Sequence, residues 1–170
     1  MNILTISGST RADSTTERFL QLVAHSFPAH RWDHSTSLRE LPLFHPDSDQ
    51  IPYPTSVMAW KEAVAAADLL IICTPAYLCN LPAALKSALE WLTTSGELHE
   101  KSVLALTFTP KAPRGEQAMQ SLLWSLQALK ARVLGQLALY QTDFPDFARA
   151  TTLPDDIRDM LATVLAAEAA

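Results

Sequence analysis

The chain has 170 residues, 48% of them hydrophobic and 18% charged. A chain of this size buries about 70% of the surface its unfolded form exposes, so disorder is excluded and one domain over residues 1–170 is expected. Thirteen Lys and Arg against eighteen Asp and Glu leave a net charge of -5, which offers no general attraction to nucleic acid or anionic lipid and points to small molecules or proteins as partners.

Residues 2–6 form a short apolar run that ends in Ser7-Gly8-Ser9, and Ser14-Thr-Thr-Glu17 opens a helical pattern with Phe19, Leu20, Val23 and Ala24 on one face. A weak strand over 29–34 follows. Residues 35–55 are polar and Pro-rich and read as loop, with buried-looking apolar residues at 41–44. A helix is expected over 57–66, a fully buried strand over 68–74, and a helix over 82–92 with Pro82 in its first turn and Gly96 as its stop. The second half repeats the alternation: a strand over 102–108, a long helix over 115–130, a strand over 132–140 and a closing helix over 154–168.

Continuous apolar strands alternating with amphipathic helices indicate a parallel sheet covered on both faces. Right-handed crossovers then favour a flavodoxin-like α/β three-layer sandwich, with five parallel strands in the order 2-1-3-4-5. Ligands of such sheets bind beyond the carboxyl ends of the strands, at the switch point between strands one and three. Three loops meet there, at residues 8–14, 75–81 and 109–115.

Only four glycines occur, at 8, 96, 115 and 135, so neither GxGxxG nor GxxxxGK[ST] can be present. The first loop instead offers Ser9, Thr10, Arg11, Ser14, Thr15 and Thr16 around a helix start, where free amides, hydroxyls and a guanidinium suit a phosphate dianion. Ser14-x-x-Glu17 serves equally as a capping box that needs no ligand. In the second loop a flat heterocycle could lie against Pro75 and Tyr77, or the same residues could simply pack the loop or a subunit contact. Cys73 and Cys79 give neither a disulfide framework nor a zinc site, and the five histidines lack ligand spacing, so no metal is expected. With no basic leader and no membrane span, a cytoplasmic protein is expected.

These two loops resemble the NADPH-dependent FMN reductase family, whose first loop reads roughly GSxRxxSxNxxL and whose second reads roughly PEYNxSxPGxLKNAxDW. This chain has GSTRADSTTERFL at 8–20 and PAYLCNLPAALKSALEW at 75–91. The segment at 41–47 and the passage QALKARVL at 127–134 are also similar to the family's. By position, the resemblance implies that Ser9, Arg11, Ser14, Thr15 and Thr16 hold the FMN phosphate. It places Pro75, Ala76, Tyr77 and Leu78 against the ring, and Thr109, with Pro110 and Lys111, at the ring edge. The chain departs from the pattern at Thr16, Ala76, Leu78 and Ala83, and Pro110 lacks an N–H that a flavin atom could use.

The activity so implied is hydride transfer from NADPH or NADH to FMN and onward to flavin, quinone, azo or similar small-molecule acceptors, with no catalytic side chain required. Lys111 and Arg114 could meet the nicotinamide nucleotide's phosphate. A non-catalytic flavodoxin-like module that binds flavin or a partner protein is the alternative, suggested by Ala76, Leu78 and Pro110. Family resemblance also implies a homodimer or homotetramer, for which the apolar face of 85–91 with Trp91 is a candidate surface; plain core packing through Leu85, Ala88, Leu89 and Leu92 would serve equally well.

Overall fold

In the computed structural model, which describes residues 1–35, 37–144 and 146–169, ten elements alternate along the chain. They are β1 (Asn2–Ser7), α1 (Thr15–Ser26), β2 (Arg31–His34), α2 (Thr55–Ala66) and β3 (Leu69–Thr74), followed by α3 (Ala83–Glu90), β4 (Ser102–Thr109), α4 (Glu116–Ala128), β5 (Arg132–Tyr140) and α5 (Asp155–Ala169). The strands form one parallel sheet in the order β2-β1-β3-β4-β5. This is the expected flavodoxin-like arrangement, and its cause is visible in the burial of the strands. Every residue of β3 and β4 is buried, as befits strands covered on both faces, whereas the edge strands β2 and β5 are mostly half-buried or exposed.

Each face of the sheet carries its own core. On one face α2, α3 and α4 bury Trp60, Leu85, Trp91 and Leu122; on the other, α1 and α5 close over Phe19, Phe108, Ile157 and Leu161. Phe19 stacks on Phe108 at 5.0 Å between centroids, and Phe144 and Phe147 meet Phe108 at 5.3 and 4.8 Å. This aromatic cluster holds the segment after β5 against the sheet end that carries the loops. The face of residues 85–92 is core: Leu85, Ala88, Leu89, Trp91 and Leu92 are all buried. Trp91 donates its indole N–H to Pro42 O at 2.9 Å and packs edge-on against Phe44, so this face is closed to a subunit contact.

Several boundaries differ from the expected ones for local reasons. Strand β2 begins at Arg31 because the amide of His30 closes a turn on Phe27 O. Helix α2 starts two residues earlier than its apolar pattern, since Pro54 O accepts from the amides of Val57 and Met58. Pro82 caps α3 from outside the first turn. Gly96, with φ +80, lies beyond a further run of turns and does not terminate α3, which ends at Glu90. Gly115, with φ +110, precedes α4 as its N-cap. Leu43, in the segment expected to bury its apolar residues, is 77% exposed.

Candidate functional site

The end of β1 turns sharply across β3. Gly8 donates its amide to Cys73 O at 2.8 Å, and a Cβ at Gly8 would stand 2.6 Å from Thr74 Oγ1 and 3.0 Å from Leu85 Cδ2. Only a residue without a side chain lets the loop lie this close to the neighbouring strand. The chain then reaches α1 through a buried relay of hydroxyls. Thr16 Oγ1 is 2.8 Å from Ser7 Oγ and 2.7 Å from Ser14 Oγ, and all three residues are buried. The Glu17 amide donates to Ser14 Oγ at 3.4 Å. The capping box is therefore half made: among the described residues no bond returns from the Glu17 carboxylate to the Ser14 amide, and Glu17 faces a separate cleft discussed below. The amides at the start of α1 lack intrahelical acceptors and carry the positive end of its dipole.

Beyond these elements lies a cleft of about 280 Å³. It gathers Ser9, Arg11, Ser14, Thr15 and Thr16 from the first loop, and Pro75, Ala76 and Tyr77 from the second. Eight of the ten residues expected to bind the cofactor thus border one space. Their roles differ, however. The Thr16 hydroxyl is held within the Ser7 and Ser14 relay. Ser9 Oγ accepts from the Arg11 amide at 3.2 Å and reaches Tyr77 Oη at 3.4 Å, joining the first two loops. Arg11 is exposed, and among the described residues its guanidinium has no protein partner.

Leu78 and Thr109 do not border the cleft. Residues 77–80 form a tight turn in which the amides of Tyr77 and Asn80 each donate to the other's carbonyl, at 3.0 and 2.9 Å, with Leu78 and Cys79 at φ +50 and +59. Two left-handed central residues aim the fully exposed Leu78 outward. The Tyr77 amide is taken up in closing this turn, and Ala76, next to it in the chain, lines the cleft. Thr109 is 1% exposed, and its hydroxyl donates to Arg114 O, fastening the third loop from beneath. The third loop contributes Pro110 and Arg114 instead, and Lys111 stands outside.

Two lining residues were missing from the sequence reading. Phe108 forms part of the cleft from the end of β4, and Gln141, directly after β5, donates from Nε2 to Thr15 Oγ1 at 3.3 Å. Both sit at carboxyl ends of strands, where the topology rule alone would have flagged them. The cleft contains no carboxylate, histidine or thiol. Cys73 is wholly buried, and burial pushes its thiol far above the usual range, so it is an inert neutral group. Among the described residues no cluster of His, Cys, Asp or Glu could hold a metal, and no helix is long and apolar enough to cross a membrane.

A phosphate-sized anion is matched here by Arg11, the hydroxyls and the start of α1, and a flat ring by Pro75, Ala76, Tyr77 and Pro110, so the residues present fit FMN. A five-stranded parallel sheet in the order β2-β1-β3-β4-β5, with a cleft at its switch point, defines the flavodoxin-like fold. Residues 1–145 match the NADPH-dependent FMN reductase family, and the chain belongs to that family. It is 40% identical over 106 residues to an NADH:(hydroxy)cinnamate reductase subunit of Vibrio ruber, a match covering 61% of this chain and 52% of that protein. The chain thus spans about half the length of this relative. An NADPH azoreductase of a Bacillus species is 29% identical over 134 residues, covering 79% and 73% of the two chains. Among solved structures, the flavoenzyme NAD(P)H:(acceptor) oxidoreductase of Paracoccus denitrificans superposes with a TM-score of 0.77 over 97% of this chain and 93% of its own, at 18% identity.

Proposed function

We propose that this chain is an FMN-dependent NAD(P)H oxidoreductase that passes electrons to a small-molecule acceptor such as a flavin, quinone or azo compound. One observation carries the reading: one cleft joins Arg11 and the hydroxyls at the start of α1 to the apolar walls of the second and third loops, with no carboxylate, histidine or thiol among its described lining residues. Such a site supplies binding and orientation, which suits a reaction whose difficult step belongs to a cofactor. When bound, FMN supplies a hydride-accepting ring.

The protein's part follows from its own residues. Arg11 and the α1 amides would hold the phosphate, while Ser9 and Thr15 contribute hydroxyls at the rim of the cradle. Pro75, Ala76, Tyr77 and Pro110 would confine the ring and exclude water from its edge. Arg114, which also lines the cleft, would meet an anionic part of a nicotinamide nucleotide. The whole chain acts as one domain. Free Cys73 and Cys79 suit a reducing, cytoplasmic setting. The exposed Leu43, Ile51, Leu78 and Trp124 support self-association as a dimer or tetramer, which sedimentation would read directly.

The non-catalytic alternative draws on Leu78, which faces away from the cleft, and on Pro110, which borders it without an N–H. Loading the protein with FMN and supplying NADPH with a quinone separates the two. Oxidation of NADPH that depends on both FMN and quinone supports the reductase; a flavin-loaded protein that leaves NADPH untouched supports the module.

A further inference from the structure

A second cleft, of about 270 Å³, lies on the other side of Arg11. It is lined by Ser9, Thr10 and Arg11 from the first loop and by Ser37 and Arg39 from the segment after β2, around the buried Leu38. Ser9 and Arg11 border both clefts, so Arg11 stands in the wall between them. The two loops also match in sequence, Ser9-Thr-Arg11 and Ser37-Leu-Arg39. In each, the arginine amide donates to the serine hydroxyl two residues earlier, at 3.2 and 3.4 Å. Among the described residues those are the hydrogen bonds the two arginines make, and neither guanidinium forms an ion pair.

Two arginines and one carboxylate, Glu17, line this cleft among the described residues. A chain of net charge -5 therefore concentrates local positive charge beside the FMN phosphate cradle. Two planar forks of N–H donors, flanked by Ser and Thr hydroxyls, match a tetrahedral oxyanion. We propose that this cleft is a second anion site, which takes a tetrahedral oxyanion carried by the reactant that meets FMN. The proposal rests on the reductase reading. The same chemistry is found in the ribose 2′-phosphate of NADPH, which an arginine accommodates in other nucleotide folds, and in the sulfonate of an anionic acceptor.

Arg39→Ala, remote from the first cleft, separates these sources in the FMN-saturated protein. A rise of about tenfold in the KM ratio of NADPH to NADH, the size of effect a lost charge-assisted bond produces at a half-open site, supports the site and assigns it to the nucleotide. A comparable rise in the KM ratio of a sulfonated azo dye to a neutral quinone supports it and assigns it to the acceptor. If neither ratio moves, the proposal is overturned. A titration of inorganic phosphate into the FMN-free protein keeps this result apart from the fate of the reductase reading. Two saturable events in the wild type and one in Arg39→Ala uphold the second site even if FMN proves not to bind, whereas identical isotherms reject it.

Discussion

The hydroxyl of Thr16 lies 2.8 Å from that of Ser7, and this contact ties the last residue of β1 to the first turn of α1 beneath the cradle. Thr16→Val keeps the shape and removes the link, leaving the Ser7 and Ser14 hydroxyls short of a partner in a buried setting. We expect a loss of about 1 to 3 kcal/mol in the urea unfolding free energy of the FMN-free protein, together with weaker FMN binding as the loop loosens.

We expect Arg11 to contribute to binding and not to folding, because its guanidinium has no protein partner among the described residues. Arg11→Ala should weaken FMN by about 1.5 to 3 kcal/mol, the range for hydrogen bonds to charged groups, with the melting temperature of the FMN-free protein unchanged. Fluorescence titration and a thermal melt read the two quantities; an unaltered affinity removes Arg11 from the site.

Ser14 differs in that it also caps α1 through the Glu17 amide. Ser14→Ala should lower the stability of the FMN-free protein by about 1 kcal/mol, and FMN should restore less of it than in the wild type, since a ligand stabilises only in proportion to its affinity. Full restoration at saturating FMN would mean that Ser14 is a cap alone.

Gly8→Ala places a methyl group 2.6 Å from Thr74 Oγ1, a side chain that is fully buried. The first loop must lift off β3 to admit it. Overpacking of this kind costs about 1 to 3 kcal/mol, and the FMN titration should weaken in parallel because the moved loop carries Ser9 and Arg11.

The buried Cys73 sets a pH dependence. Burial raises its thiol above the ordinary value of 9.0, so above that pH the unfolded chain loses a proton that the folded chain retains. The stability attached to this group is full below pH 9 and falls as pH rises, by up to about 1.4 kcal/mol per pH unit. Unfolding measured from pH 8 to 10 should show a steeper decline in the wild type than in Cys73→Ala. Equal slopes would mean that the thiol ionises freely in the fold.

The sheet order was legible because β3 and β4 are unbroken apolar runs and the helices between them keep their period. The cradle was legible as a set of residue types, since Ser, Thr and Arg before a helix belong to few physical arrangements. What each side chain does was not. Thr16 and Thr109 have hydroxyls of the right kind in the right loops, but partners within the protein claim both. Leu78 follows Tyr77 in a ring-contact motif, yet the left-handed turn aims it outward. The face carrying Trp91 looked equally suited to core or interface until Pro42 and Phe44, distant in sequence, were seen to cover it. These outcomes depend on long-range packing, which neither periodicity nor loop chemistry encodes.

The most direct test is a titration of the purified FMN-free protein with FMN, followed by quenching of flavin fluorescence. Binding that saturates at one FMN per chain, and that weakens in Arg11→Ala, is the result predicted for a dianion held at the start of α1. Flavin fluorescence that stays unquenched, with no saturation at any protein concentration, would contradict it.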